Sequence, residues 1–341
     1  MESFELIKDK LNKLFKECGL GDITHDITPV SGGLMHKMYR VETAEGAYAV
    51  KCLNPEIMKR PGVMDNYAKA EHFERILEEN GLPIVPAISF NGKKMLESDG
   101  QYYYIFKWQE GSITDFNDIK KEQCLQAGEL LGRIHGIDSI SVEAEEPELS
   151  NIDFKAYLKS AQDKESHIAG LLSDNYELLN TAQNKLNAAR KNLPSIRVIS
   201  NDDMDPKNIM WHEGRPHVID LECLDYGNPV SSALSLALQW AGTVTENFNK
   251  ENLEAFFTGY LKAYDNGFRA YDKLIGISYT WVEWLEYNIR RALGMEGSAP
   301  EDINLGEEEV RNTIGRIKYL SEIEQEICSV FKNLPATAPK V

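Results

Sequence analysis

The sequence predicts an α+β protein, with a strand-bearing first third and a helical remainder. Three observations predict it. Alternating and aromatic–apolar runs suited to strands cluster before about residue 110. Apolar residues at helical spacing dominate after it. One polar strand–loop–strand segment, 197–222, interrupts those helices. The 341 residues are 42% apolar and 27% charged, which excludes a disordered or low-complexity chain. Lys and Arg number 37 against 54 Asp and Glu, a net charge of −17, which argues against nucleic acid and against an anionic membrane surface as partners. No window approaches a membrane span, and the N-terminus has no apolar signal region. The five scattered cysteines contain no CxxC pair, so disulfides and a zinc site are not expected and a reducing cytoplasm is.

The elements follow in order. Residues 2–18 carry Phe4, Ile7, Leu11, Leu14 and Phe15 at helical spacing. Strands are expected over 25–30, Lys37–Val41 and Ala47–Leu53, the last two joined by a hairpin turn at Glu45-Gly46. A helix over 64–80 stops at Asn80-Gly81, and strands follow near Ala87–Phe90 and Tyr102–Trp108. Beyond them, helices are expected over 119–136, 153–170, 175–193, 229–243, 249–266, 271–293 and 306–332. Between the third and fourth of these lie strands Arg197–Ser200, Ile209–His212 and Val218–Leu221, with a turn at Glu213-Gly214. The division of the chain is into 1–108 and 109–341.

Four segments carry chemistry. Gly32-Gly33 between strands could let backbone N–H groups cradle phosphate, although by itself the pair fits a tight hairpin turn better. Lys51, in Ala49-Val50-Lys51, is either a snorkelling edge residue or a buried cation that needs a partner. The loop Asn201-Asp202-Asp203-Met204-Asp205-Pro206-Lys207-Asn208 and the strand end Ile219-Asp220-Leu221-Glu222 concentrate carboxylates between short strands. An Asx turn explains one Asp-Pro step but not acid recurring on the next strand, whereas hard oxygen donors suit magnesium held jointly with phosphates. The order glycine loop, strand Lys, helix Glu, Asp-x-x-x-x-Asn, Asp is the parts list of phosphoryl transfer. No GxxxxGK[ST] is present, so a P-loop enzyme is excluded.

These segments together resemble the aminoglycoside phosphotransferase/choline kinase family, the small-molecule branch of the protein-kinase-like fold. Five matches fall in order over about 29–300: Gly32-Gly33…His36…Tyr39…Val41; Tyr48-Ala49-Val50-Lys51; Glu71 ahead of Gly81-Leu82-Pro83; Leu131-Gly132-Arg133-Ile134-His135; and the Asp203…Asn208 and Asp220 segments. The resemblance implies a bilobal fold: a small antiparallel N-terminal lobe over 1–108 that binds nucleotide, and a mainly helical C-terminal lobe over 109–341 with the catalytic loop and acceptor site. It implies Asp203 as catalytic base, five residues before Asn208, with Asp202 out of register. It implies Asn208 and Asp220 as magnesium ligands. Lys51, oriented by Glu71, would meet the α and β phosphates of ATP or GTP. Gly32, Gly33 and His36 would form the phosphate loop, and backbone at Phe106, Lys107 and Trp108 would meet the purine. Two positions depart from the family: Asn201 stands where His is usual and His36 where Asn is usual. Asn201 is expected to hydrogen-bond the loop backbone in place of His.

The acceptor is an expectation from charge. Residues 1–110 hold 14 basic and 17 acidic side chains, and 111–341 hold 23 and 37, so the excess acid lies in the lobe expected to bind the acceptor. That favours a small cationic, aminoglycoside-like hydroxyl compound. Glu283 has no Lys or Arg three or four residues away, and Trp284 lies beside it in a helix expected to be buried; both are acceptor candidates, as are Glu222 and Asp225. Glu286 is expected to pair with Arg290. The alternatives are a metabolic kinase of choline, ethanolamine or a sugar, and a non-catalytic nucleotide-binding pseudokinase. A protein kinase is disfavoured, because no Ala-Pro-Glu or Asp-Phe-Gly segment is present.

Overall fold

The structure, a computed structural model, describes residues 4–30, 36–141, 147–297 and 299–334. The expected phosphate-loop glycines Gly32 and Gly33 lie outside the described residues. Two compact units are present, Met1–Ile113 with Asn208–Asp225, and Thr114–Lys207 with Tyr226–Val341.

In chain order the first unit contains α1 (Phe4–Glu17), β1 (Thr28–Val30), β2 (Lys37–Thr43), β3 (Gly46–Cys52), α2 (Pro55–Met58), α3 (Val63–Glu79), β4 (Leu96–Ser98), β5 (Gln101–Lys107) and β6 (Ser112–Ile113). The second unit takes α4 (Lys121–His135), β7 (Ser139–Ser141), α5 (Phe154–Asp163), α6 (Ile168–Asp174), α7 (Tyr176–Arg190) and β8 (Ile196–Asn201). The chain returns to the first unit for β9 (Ile209–His212) and β10 (Arg215–Val218), and crosses back within β11 (Leu224–Gly227). Then follow α8 (Pro229–Trp240), α9 (Lys250–Ala263), α10 (Trp281–Ala292) and α11 (Pro300–Lys332).

The first unit is built on an antiparallel sheet of order β1-β2-β3-β5-β4. Alternate residues Tyr39 and Val41, Tyr48 and Val50, and Tyr103 and Ile105 pack with Leu11, Leu14 and Phe15 of α1 in one core. The intervening residues face the other way, where Tyr104 packs with Tyr67 of α3, Leu53 and Ala87. Lys51 pairs in register with Tyr104. The period of two therefore turns Lys51 away from the α1 core and toward the α3 side.

Three carboxylates at i, i+3, i+7 fasten α3. Glu71 accepts from the Met95 N–H (3.0 Å) and the Tyr104 hydroxyl (3.0 Å). Glu74 accepts from the Ala87 N–H (2.8 Å) and, with Glu78, from the buried Lys94 ammonium, at 2.5 Å each. The expected strand at Ala87–Phe90 reduces to single bridges, Ala87 with Phe106 and Phe90 with Lys93, because Glu74 takes the Ala87 amide that a ladder would use.

The segment Asn208–Asp225 was expected with the helical part and instead packs with the strand-rich unit. β10, β9 and β6 form a sheet, and Val218 exchanges backbone hydrogen bonds with Pro83 and Val85 at 2.8 Å. Gly111, at φ +135°, permits this: a Cβ there would sit 2.5 Å from the Trp211 carbonyl. The strand expected at Val218–Leu221 ends at Val218, and Asp220 then takes a left-handed φ of +57°.

In the second unit α4 and α9 meet backbone to backbone through Gly128 and Gly259, where an added Cβ would lie 2.0 Å from the Phe256 and Leu125 carbonyls respectively. The helix expected over 153–170 is two helices, broken where Glu165 adopts φ +51°. That over 271–293 is a 3-10 segment, Tyr271–Thr280, kinked at Leu274, followed by α10. α11 begins at Pro300, six residues before expectation, with proline in the first turn. All five cysteines are free thiols. Among the described residues no helix is long and apolar enough to cross a membrane.

Candidate active site

The motif residues divide between the two units: Lys51, Asn208 and Asp220 belong to the first and Asp203 to the second. In the first, Lys51 is a buried cation with partners, since its side chain is only 8% exposed. Its ammonium donates to Asp220 Oδ1 at 2.9 Å and forms a short ion pair with Glu222 Oε1. Burial by itself would lower the Lys51 pKa, but the two carboxylates outweigh it and hold the ammonium above its ordinary value. Burial likewise pushes Glu222 up, while the His36 hydrogen bond and the Lys51 charge pull it below the usual carboxylate range. Asp220 holds its left-handed backbone at a cost on the order of 1 kcal/mol, which the ion pair and surrounding sheet must offset.

His36 extends the cluster. Its Nδ1 accepts the Asn54 N–H (2.9 Å), which begins α2, so its proton resides on Nε2. Nε2 lies 3.3 Å from both Glu222 Oε2 and the Tyr67 hydroxyl. For Tyr67, from α3, burial followed by the negative charges of Glu222 and Asp220 pushes the phenol up. Asn208 is buried, and its carbonyl accepts from the Ile219 N–H at 3.0 Å, tying it to the residue before Asp220.

Glu71 does not orient Lys51, contrary to the sequence expectation. Its carboxylate is committed to Tyr104, the Met95 amide and Arg75 (3.3 Å), and Glu222 occupies the place at the ammonium. Glu222 therefore lies against the lysine, and Asp225 is paired with Lys69 at 2.9 Å. Phe106 and Lys107 are paired with Ala49 and Tyr48, and the Trp108 amide donates to the Ala47 carbonyl (2.9 Å) while its ring stacks under Arg40 at 4.5 Å. These three close the sheet end, and Gln109 is the next residue beyond it.

In the second unit the loop after β8 is an Asx turn. Asn201, fully buried, accepts the Asp203 N–H on its side-chain oxygen (3.2 Å) and the Met204 N–H on its carbonyl (3.2 Å). Its amide thus fixes the base candidate from within the loop. The Met204 carbonyl accepts from the Trp240 indole (3.0 Å), and Asp205, buried, accepts the Lys207 N–H (3.0 Å) and pairs with its ammonium (3.1 Å). Lys207 stands 3.9 Å from Asp203 Oδ1. Asp202 faces elsewhere, accepting from the Ser200 (2.8 Å) and Ser232 (2.5 Å) hydroxyls. Behind Ser200, His135 of α4 is fully buried between Ser200 Oγ (3.1 Å) and the Tyr260 hydroxyl (2.9 Å). Because Ser200 donates its proton to Asp202, it accepts from His135 Nε2–H, and burial lowers the pKa of the ring to about 3.

The acceptor candidates on α10 are already paired. Glu283 is half-exposed, not buried, and forms a two-pronged ion pair with Arg190 at 2.6 and 2.8 Å. The Trp284 indole donates to Glu309 (3.1 Å) and its ring stacks on Tyr287, while Arg316 covers Trp281 at 4.8 Å. Glu286 accepts from Tyr157 (2.8 Å), and Arg290 pairs with Glu296 (2.7 Å) instead of Glu286. Local spacing had exposed neither Tyr67 nor the Glu222–Lys51 pair, whose members lie in distant parts of the chain.

The model of the phosphotransferase enzyme family matches residues 26–274. No curated protein matches significantly. Among solved structures, a spectinomycin phosphotransferase in complex with ADP and spectinomycin superposes with a TM-score of 0.68 at 13% identity, covering 92% of this chain and 98% of that one. An amicoumacin kinase in complex with AMP-PNP and Ca2+ gives 0.57 at 11% identity over 98% and 97%. An ethanolamine kinase of Plasmodium vivax gives 0.54 at 16% identity over 84% and 81%. At these identities the likeness is one of fold, the kinase-like α+β fold.

Proposed function

Because this chain belongs to the phosphotransferase enzyme family, we propose that it moves the γ-phosphate of ATP or GTP to a hydroxyl of a small cationic molecule. The observation that carries the reading is the buried Lys51–Asp220 ion pair at 2.9 Å, a preformed phosphate-binding cation beside a metal-binding carboxylate. Lys51 holds the α and β phosphates. Asp203, held by Asn201 through its own N–H, accepts the proton of the acceptor hydroxyl. The hydroxyl oxygen then forms its bond to the γ-phosphorus, the bond to the β–γ bridging oxygen breaks, and its electron pair leaves with the nucleoside diphosphate.

The residues fit magnesium. Asn208 and Asp220 supply hard oxygen donors and are tied by one backbone hydrogen bond through Ile219. Among the described residues no group of three or more His, Cys, Asp and Glu could hold a metal by itself, so phosphate oxygens and water would complete the set. Bound there, magnesium would neutralise phosphate charge.

The excess of acidic side chains after residue 110 supports a cationic acceptor. Glu283 and Trp284 do not, since Arg190 and Glu309 occupy them. The phosphotransferase, kinase and ethanolamine kinase among the similar folds support a small-molecule acceptor. A thermal-shift screen of aminoglycosides, choline, ethanolamine and neutral sugars, with magnesium and a non-hydrolysable nucleotide, tests the reading. Stabilisation by amines that depends on nucleotide is expected. Stabilisation only by neutral or anionic compounds would remove the cationic acceptor.

A further inference from the structure

We infer that Glu222 is the positioning carboxylate of Lys51, and that it joins the lysine to His36 and to Tyr67 of α3 in one hub. The inference rests on the phosphotransferase reading for the role of Lys51, but its geometry stands apart from it. In a lysine-dependent nucleotide site the ammonium must be held in place before phosphate arrives, and the helix that packs on the sheet is the natural source of the carboxylate. Here α3 cannot provide it. Glu71 is held by Tyr104 and the Met95 amide, and Glu74 and Glu78 are held by Lys94. The link runs one helical turn earlier, from the Tyr67 hydroxyl to His36 Nε2 (3.3 Å), from His36 to Glu222 (3.3 Å) and from Glu222 to Lys51. The same carboxylate takes the Nε2–H of His36, whose Nδ1 fixes the Asn54 amide at the start of α2.

Two consequences separate the carboxylates. Glu71 is a structural clamp between α3 and the β4–β5 hairpin, so its loss acts on stability. Glu222 is a hub, so its loss frees the ammonium and the imidazole together. Asp220 alone then holds Lys51, and a metal ion bound at Asp220 would compete for that partner. Glu222 thus keeps the lysine in place while Asp220 is engaged elsewhere.

The test compares Glu222→Gln, Glu71→Gln and Tyr67→Phe in the full-length protein. Nucleotide affinity is measured by calorimetry with and without magnesium, thermal midpoints by scanning, and the His36 tautomer by long-range 1H–15N spectra, with His36→Gln to assign the ring. E222Q is expected to weaken nucleotide binding about tenfold or more, as loss of a group orienting a ligand-contacting residue does. It should also lower the midpoint, because the buried ammonium keeps only Asp220, and shift the His36 Nε2–H resonance, which loses its carboxylate acceptor while Asn54 still holds Nδ1. E71Q should lower the midpoint by about 2 °C and leave nucleotide affinity and tautomer unchanged. Y67F should weaken binding a few-fold. The inference is overturned if E71Q weakens binding as much as E222Q, if E222Q alters only the magnesium requirement, or if the wild-type His36 proton is on Nδ1. Wild type that binds no nucleotide would count against the phosphotransferase reading, and the His36 Nε2 resonance, shifted by E222Q and not by E71Q, would still decide the hub.

Discussion

A buried lysine ammonium costs several kcal/mol of desolvation unless carboxylates meet it, and Lys51 is met by two. Its strand position was legible in Ala49-Val50-Lys51, because it follows from local pattern, but that pattern left open whether the lysine snorkels at an edge or is buried and needs a partner. The partner's identity was not legible, because Glu222 lies 171 positions away and only the fold brings it near. The same limit explains Glu283, judged unpaired on its own helix yet held by Arg190 from α7. The hydrogen bond of Asn201 to the loop backbone was legible, since an Asx turn needs only the two residues that follow. His135 supplies a pH prediction. Its folded pKa of about 3 lies below the ordinary 6.5. Below 6.5 the unfolded chain binds a proton that the folded chain refuses, so stability is complete above that pH and falls as the pH drops toward 3. The loss from this group is about 1.4 kcal/mol per pH unit. Denaturant titrations from pH 7 to 4 should show a shallower acid slope for His135→Gln than for wild type. Equal slopes would mean that His135 is not buried neutral.

At the scale of elements, alternation was the clearest signal. Tyr39, Val41, Tyr48, Val50, Tyr103 and Ile105 share one face as the period of two requires, and β2, β3 and β5 lie close to their expected bounds. The long apolar run 271–293 was not separable into a 3-10 segment and α10, because both windings bury the same residues and Leu274 alone breaks them. Pairing between distant short strands was equally hidden, so the attachment of β9 and β10 to β6 could not be foreseen. Gly132 of Leu131-Gly132-Arg133-Ile134-His135 packs as Gly128 and Gly259 do, where α4 and α9 touch. Gly128→Ala must push a methyl into the Phe256 carbonyl and should destabilise by about 1–3 kcal/mol or more. Gly170→Ala, within α6 and with nothing inside 4 Å, should instead stabilise by up to about 1 kcal/mol. Thermal denaturation of the two variants reads both signs. Equal shifts would refute the backbone contact between α4 and α9.

At the scale of the whole molecule, the charge of −17 excludes partners more firmly than it selects one. The family match over residues 26–274 and the kinase-like fold establish a phosphotransferase, and the acidic excess after residue 110 supports an amine-bearing acceptor. Fold class and reaction class were readable because five short motifs keep their order along the chain. Acceptor residues were not readable, since an acid chosen for lacking a local partner can acquire one from any helix, as Glu283 does. The central claim is that Asp203 takes the acceptor proton while Lys51 and Asp220 serve the nucleotide. It is tested most directly by transfer of γ-labelled phosphate from ATP and GTP to the amine that the screen identifies, with wild type and Asp203→Asn side by side. The account predicts magnesium-dependent transfer by wild type, a fall in kcat of about 10²–10⁴-fold in the variant, and unchanged nucleotide affinity. Undiminished transfer by Asp203→Asn would contradict it.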